Sequence, residues 1–256
     1  MMEAQIKDNR NDAKVVIIGR GNVGTHLFRA LSPHCDVTLA AARSADGALL
    51  PEVSLDANIY LLTVTDNAIA PVAAALAAKL GERCPIVAHT SGTTDIQALV
   101  PLFRRAAVFY PLQTFSRDAA LRYDTVPVFL EAIETADCAA LTALAKSFTD
   151  KISIIDSLSR RKLHIASVFA CNFANNCVAI ADELLDEEGI DRECIAPLIA
   201  ETFAKLTRGR ARDMQTGPAS RNDTTTMEAH LNALSDKPLL RQIYAAMSES
   251  IQTLKN

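Results

Sequence analysis

Tryptophan is absent and aromatic residues make up only 5 % of the 256 residues, a scarcity with no bearing on function. Other shortages exclude more. The six cysteines, Cys35, Cys84, Cys138, Cys171, Cys177 and Cys194, never fall in C-x-x-C, and no histidine cluster completes a zinc pattern. No metal site is therefore expected, and the cysteines read as mostly buried small hydrophobes. Positive charge is not in excess: a net charge of -4 gives no reason for a nucleic-acid or anionic-membrane partner. No apolar run reads as long as the roughly 20 residues that span a bilayer. Residues 1–11 are polar and mixed in charge, without the apolar core of a signal peptide, so a cytoplasmic location is expected. Internal repeats and low-complexity tracts are lacking. What is abundant is apolar character, 49 % of residues, enough for a substantial core in one large domain or two modest ones.

The most informative stretch is Val15-Val16-Ile17-Ile18-Gly19-Arg20-Gly21-Asn22-Val23-Gly24. Four apolar β-formers run into glycines spaced G-x-G-x-x-G, and Leu27 and Leu31 then follow at helical spacing. Strand, tight turn and helix start is the context that marks a dinucleotide site. Gly19 suits the turn out of the strand, Gly21 lets backbone approach a pyrophosphate, and Gly24 lets helix and strand pack closely. The pyrophosphate would sit on the amides that open the helix, where the dipole favours anions.

From Lys14 to about Ile155, β-runs alternate with helical stretches. The runs are Lys14–Ile18, Asp36–Ala40, Asn58–Val64, Pro85–His89, Ala107–Tyr110, Val126–Leu130 and Lys151–Ile155; the helices include Asn22–Leu31, Asn67–Leu80 and Ala136–Phe148. This alternation predicts an α/β fold, a doubly wound Rossmann domain over residues 1–156. After Asp156 the strands cease. Ser157 or Ser159 can cap a long helix to about Glu188, stopped by Gly189, and Asp191 can cap another ending near Gly209. Two more follow the polar loop Gln215–Asp223, making residues 157–256 an all-α C-terminal domain. Between Leu163 and Ala181 the long helix has no charged residue, so both its sides read as buried. Such a helix in a small domain usually packs on another subunit, and a homodimer through the helical half is expected.

Candidate site residues cluster where strands end. About 20 residues past the glycines, an NAD-selective chain places an acid for the ribose 2′-OH. Here Arg43 and Ser44 occupy that position, a cation and a hydroxyl suited to a 2′-phosphate, which favours NADP. Val64-Thr65-Asp66 and His89-Thr90-Ser91 end the next two strands, where ligands bind in open α/β sheets, so Val64, Thr65, His89 and Thr90 should line the nicotinamide side. His89 can donate a hydrogen bond or a proton, or it can cap the following turn together with Asp66. Gln113, in Tyr110-Pro111-Leu112-Gln113-Thr114-Phe115-Ser116, either faces the cleft or belongs to an ordinary turn. In the long helix His164, Asn172, Asn175 and Asn176 interrupt the apolar run. At 100° per residue His164 and Asn175 nearly eclipse, and Asn172 lies about 80° away. These groups either face a substrate or satisfy one another across a dimer. Arg221 either clamps a substrate carboxylate or pairs with Asp223 in an interhelical loop.

Gly-Arg-Gly-Asn-Val-Gly-Thr-His-Leu at 19–27, His-Thr-Ser-Gly at 89–92, Pro-Leu-Gln-Thr-Phe at 111–115, His164 with Asn172, and Gly-Pro-Ala-Ser-Arg at 217–221 occur together. In this combination, over nearly its whole length, the chain resembles a bacterial family of Rossmann-like proteins with a C-terminal helical domain of unassigned function. Its members are often labelled candidate NADP oxidoreductases of the deazaflavin-dependent type. The family is similar in architecture to pyrroline-5-carboxylate reductase and the 6-phosphogluconate dehydrogenase-like superfamily, whose members are usually dimers through the helical domain. The resemblance carries the cofactor loop onto Gly19, Arg20, Gly21, Asn22, Val23 and Gly24, and the NADP-selective position onto Arg43 and Ser44. The hydroxyacid dehydrogenases of that superfamily use a helix lysine with asparagine four residues on. Here Lys162 is followed at that distance by Ala166, which argues against a hydroxyacid substrate.

The expectation is an oxidoreductase that binds NADP and passes hydride between nicotinamide and a small carbonyl or imine compound, or a deazaflavin. His164 would donate or orient a proton, with Asn172 hydrogen-bonding the reacting group and His89 as the alternative acid. The competing expectation is an NADP-binding sensor or assembly protein without turnover.

Overall fold

The computed structural model describes residues 11–255. Seven strands form one sheet: β1 Asn11–Ile18, β2 Cys35–Ala40, β3 Ile59–Leu62, β4 Ile86–His89, β5 Ala106–Pro111, β6 Val128–Ala132 and β7 Ile152–Ile154. Their order is β2-β1-β3-β4-β5-β6-β7, and every neighbouring pair is parallel except β5 with β6. The antiparallel pair arises because β5 returns to β6 through a loop containing only a short helical turn at Tyr123–Thr125, so no crossover helix restores the direction. Helices α1 Asn22–Leu31, α2 Asp66–Leu80 and α3 Thr135–Lys146 connect β1 to β2, β3 to β4 and β6 to β7; β2 to β3 is a loop, and β4 to β5 holds only a short helical turn at Ile96–Ala98. Two cores result, one on each face of the sheet. Val16, Ile18, Tyr60 and Leu62 point into the α2 side, while Val15, Ile17, Leu61 and Phe109 point into the α1–α3 side. This alternation within strands buried on both faces is the signature of a doubly wound sheet.

β1 lies between β2 and β3, so the chain leaves β1 to one side and later returns to the other. The crevice at that reversal, outside the carboxyl ends of β1 and β3, is where such sheets bind ligands.

After Ile154 every described element is helical. α4 Ser157–Ser167 is capped by Asp156, whose carboxylate accepts the Ser159 amide at 2.7 Å. Neither serine serves as the cap: Ser157 is the first helical residue, and its amide and hydroxyl both donate to Glu131. The long helix is not uniform. Val168–Phe173 is π-helical, and α5 Ala174–Glu187 resumes the α form. Gly189, with φ of +65°, ends the run.

Three expectations need correction here. The helical stretch Ser157–Glu187, 31 residues, is long and apolar enough by length and composition to cross a membrane. Histidine and asparagine interrupt the run without adding Asp, Glu, Lys or Arg to it. Its middle is also not buried within the chain: Ile165 is 51 %, Phe169 62 % and Phe173 49 % exposed. Finally, only Cys35 and Cys138 are buried; Cys84, Cys171, Cys177 and Cys194 are exposed: Cys171 and Cys177 lie on this uncovered stretch, Cys194 in the short turn Arg192–Cys194, and Cys84 in the turn before β4.

Two compact units divide between Asn175 and Asn176. The second unit contains the rest of α5 with α6 Ala196–Leu206, α7 Thr224–Ala233 and α8 Pro238–Lys255. Lys237 pairs with Glu187 at 2.9 Å, and the Tyr244 hydroxyl meets His230 Nδ1 at 2.8 Å. Asp223 caps α7 by accepting from the Thr226 amide and hydroxyl. Its carboxylate is thus occupied by the helix start rather than by Arg221.

Candidate functional site

The glycine loop fits a dinucleotide because its three glycines face different surroundings. Gly19 has φ of +125°, and a Cβ there would lie 2.5 Å from the Thr63 carbonyl oxygen. At Gly24 a Cβ would lie 1.9 Å from the Gly19 carbonyl oxygen and 2.6 Å from Thr63 Oγ1. Thr63 completes this nest by donating its hydroxyl toward the Ile18 and Gly19 carbonyls at 3.1 and 3.0 Å. Gly21 differs: nothing lies within 4 Å of its missing Cβ. Space at Gly21 is the approach a pyrophosphate needs, and close packing at Gly19 and Gly24 sets the angle at which α1 leaves the sheet. α1 has no side-chain cap and no acidic residue in its first turn, so its first amides are open to an anion.

Arg43 and Ser44 follow β2 as expected, in a tight turn. Arg43 is exposed and donates to the Gly47 carbonyl at 3.0 Å. Ser44 donates to the Asp46 carboxylate. That hydrogen bond and the Ala48 amide hold the Asp46 carboxyl below the usual carboxylate range. The turn therefore carries both a cation and an ionised acid.

At the ends of β3 and β4 the expected residues divide. Val64 is half-buried and Thr65 exposed at the start of α2. The Thr90 hydroxyl donates to the Leu62 carbonyl at 3.2 Å and braces the two strand ends. Asp66 accepts the Thr93 hydroxyl at 2.6 Å. His89 is fully buried. Its Nδ1 accepts the Ser91 amide at 3.2 Å, which puts the proton on Nε2, and Nε2 has no partner. Burial, reinforced by the Arg160 guanidinium, pulls its pKa down to about 4. His89 is thus a neutral, sealed side chain that does not line the cleft.

The cleft, about 570 Å³, is bordered by the start of α1, the segment after β5, and the α4–π segment; Asn22, Tyr110, Gln113, His164, Ser167 and Asn172 supply its polar groups. Gln113 reaches it while accepting the Thr114 amide at 2.8 Å. His164 and Asn172 both face it, and Asn175, which regular geometry would eclipse with His164, does not. The π segment explains the change. Its wider turn advances less than 100° per residue, and this rotates Asn172 back toward His164.

Several residues that build this arrangement escaped the sequence reading. Tyr110, near the end of β5, places its hydroxyl 3.0 Å from His164 Nδ1. Gly92 makes room for that imidazole, since a Cβ there would lie 2.5 Å from Nδ1. Arg160, one turn before His164, is 1 % exposed and binds the Glu131 carboxylate and the Thr94 carbonyl, anchoring α4 to β6 and to the loop after β4. His26 is 1 % exposed; it meets the Tyr123 hydroxyl at 3.0 Å and the Ser116 carbonyl at 2.8 Å, and Asn22 donates to the Phe115 carbonyl at 2.9 Å. These contacts fasten the segment after β5 to α1. An arginine amid Ser-Arg-Arg-Lys gives no signal of burial, but a glycine directly after His-Thr-Ser was a legible hint of close approach.

Residues 2–114 match the Rossmann-like domain, and residues 126–251 match a domain of unknown function, DUF2520. No curated protein matches the chain by sequence. Among solved structures, a candidate NADP oxidoreductase from Bacteroides fragilis is 32 % identical with a TM-score of 0.86, covering 94 % of this chain and 98 % of its own. A reductive aminase from Aspergillus terreus, solved with NADPH and ethyl levulinate, is 14 % identical with a TM-score of 0.63, covering 95 % and 98 %. Pyrroline carboxylate reductase from Plasmodium falciparum, solved with NADP, is 14 % identical with a TM-score of 0.55, covering 96 % and 100 %. The last two share the fold. With both domain models matched in order and nearly the whole chain aligned to the Bacteroides protein, the chain belongs to the family of Rossmann-like proteins with a C-terminal DUF2520 domain.

Proposed function

We propose that this protein is an NADP-dependent oxidoreductase that transfers hydride between the nicotinamide and a small carbonyl or imine compound. The observation that carries the reading is the placement of a proton-bearing pair, Tyr110 and His164, in a cleft that Asn22 and Val23 of the glycine loop also line. The named activities of the structural relatives, a reductive aminase and a pyrroline carboxylate reductase, support the same chemistry. The backbone of Gly19–Gly24 would hold the pyrophosphate and Arg43 with Ser44 the 2′-phosphate. Val64, Thr65 and Thr90, which follow β3 and β4, would line the nicotinamide side. The bound dinucleotide supplies the hydride; the chain positions the acceptor and provides the proton. Asn172 offers an amide to the reacting group, and His164 stands within reach of the proton path. His89 is dropped as an acid because it is sealed from the cleft.

The exposed apolar face around Ile165, Phe169 and Phe173 supports assembly as a homodimer through the helices rather than a membrane span, because His164, Ser167 and Asn172 of the same stretch line the cleft. A soluble, cytoplasmic enzyme follows from that reading. The test is NADPH oxidation with a panel of keto acids, cyclic imines and deazaflavins. Turnover on one class fixes the reaction. Tight NADPH binding with no turnover on any member would favour a nucleotide sensor instead.

A further inference from the structure

We infer that Tyr110 is the residue that hands the proton to the substrate, and that His164 stands behind it and recharges it. The inference rests on the reductase reading above.

The geometry carries it. The Tyr110 ring is packed into the sheet against Phe129, with ring centroids 6.4 Å apart and only 7 % of the residue exposed. Tyr110 lines the cleft, and its hydroxyl is the only polar atom of its side chain. That hydroxyl lies 3.0 Å from His164 Nδ1, with the rings edge to face at 6.1 Å. A proton leaving His164 by this nitrogen therefore passes through the phenol. The imidazole is held from three sides. Gly92, which admits the ring only because it lacks a Cβ, packs against it, Tyr110 engages Nδ1, and Arg160 pins the preceding helical turn to Glu131 and Thr94. A pair fixed this closely loses little orientational freedom when it acts. Burial raises the Tyr110 pKa, so the phenol retains its proton until a partner supplies charge. An imidazolium at His164 is such a partner. The other candidates drop out: His89 is sealed, and Asn172 carries no titratable proton.

The step balances as follows. As hydride forms the new C–H bond, the π pair of the carbonyl or imine moves to oxygen or nitrogen. That atom takes the Tyr110 proton as the phenol O–H bond breaks. The Nδ1 proton of the His164 imidazolium passes to the phenolate oxygen, leaving tyrosine neutral and histidine neutral. Solvent returns one proton to the pair after the product leaves through the open cleft.

The experiment compares wild type, Tyr110→Phe, His164→Asn and Gly92→Ala. Tyr110→Phe removes one oxygen and keeps the ring that packs on Phe129. Gly92→Ala displaces the imidazole without altering either reacting side chain. NADPH affinity is read from nicotinamide fluorescence, turnover from NADPH oxidation with cyclohexanone, pyruvate and 2-methyl-1-pyrroline, and the His164 ring by nitrogen-15 NMR of the nucleotide-free protein. Tyr110→Phe should lower kcat by about 10²–10⁴-fold, the usual contribution of a general acid, while NADPH affinity stays within about twofold. Gly92→Ala should lose turnover on the same scale, and added imidazole should restore part of the activity of His164→Asn. The Nδ1 resonance should move in Tyr110→Phe. Turnover of Tyr110→Phe within about threefold of wild type, or an unmoved Nδ1 resonance, would overturn the relay and leave the reductase standing. A wild type that binds NADPH but reduces none of the three probes would overturn the reductase reading itself, and the relay with it.

Discussion

All four residues of β3 and all six of β5 are buried, whereas α4 buries only Ser157 and Arg160, and the π segment after it buries nothing. The strands find their apolar partners within the chain, in two cores on opposite faces. The long helix is held instead by a few polar anchors at its start and presents phenylalanines outward. A region that closes its own core is fixed by local pattern and space. A region that does not close its own core leaves polar side chains free to serve a cleft.

The sharpest way to break this contrast is inside the sheet. Gly24→Ala puts a methyl 1.9 Å from the Gly19 carbonyl oxygen, a backbone atom that cannot yield. Loss of more than about 4 kcal/mol is expected, or failure to fold, read by thermal or urea unfolding. A stable variant would mean the α1–β1 contact is looser than it stands. On the helix the same kind of insult should leave the fold intact. Phe169→Ser with Phe173→Ser removes two exposed rings. Each buried phenylalanine contributes roughly 1.5–3 kcal/mol, so the dimer dissociation constant should rise about 100-fold or more while the melting of the sheet is unchanged. A wild type that is already monomeric by light scattering would end the dimer reading.

His89 tests how tightly the sheet is sealed. Its folded pKa, about 4, lies below the ordinary value of 6.5. The unfolded chain thus takes up a proton first as pH falls, and stability present above pH 6.5 is lost progressively down to about pH 4. Between pH 7 and pH 5 the loss should be about 2 kcal/mol. His89→Asn, which keeps an acceptor for the Ser91 amide, should remove that part of the slope in urea titrations. An unchanged slope would show that His89 reaches water.

The remaining variants address the open side of the glycine loop. A Cβ at Gly21 meets no atom within 4 Å, so Gly21→Val should fold normally yet bind NADPH at least about tenfold more weakly, near 1.4 kcal/mol. Equal affinity would contradict the pyrophosphate position. Arg43→Glu should have the smallest effect. The guanidinium is exposed and already donates to Gly47, so screening reduces its grip, and the preference should shift toward NAD by about 1 kcal/mol. Equal binding of NAD and NADP by the wild type would remove Arg43 from cofactor choice.

Much of the architecture was legible because it depends on neighbours in the chain. Apolar runs of period two, helices ending at Gly81 and Gly189, and the glycine spacing at 19–24 report backbone geometry directly. All seven strands fall within the runs the pattern marks or extend them by one to three residues, β1 by the most. The site was legible only in part. His164 and Asn172 stood out as polar breaks in an apolar helix. Their common direction did not, because the π turn that rotates Asn172 toward the cleft has no pattern of its own.

Sequence by itself determined the mainly parallel sheet, the glycine turn and the switch to helices after residue 156, since each follows from local periodicity and from the conformations glycine permits. The tertiary structure alone decided which histidine is available. His89 and His164 both follow apolar residues and look alike in the chain. One ends a strand closed over on all sides, and the other lies on a helix whose inner face meets Tyr110. Burial and partnership at long range are properties of packing between distant segments, and no window of neighbouring residues contains them.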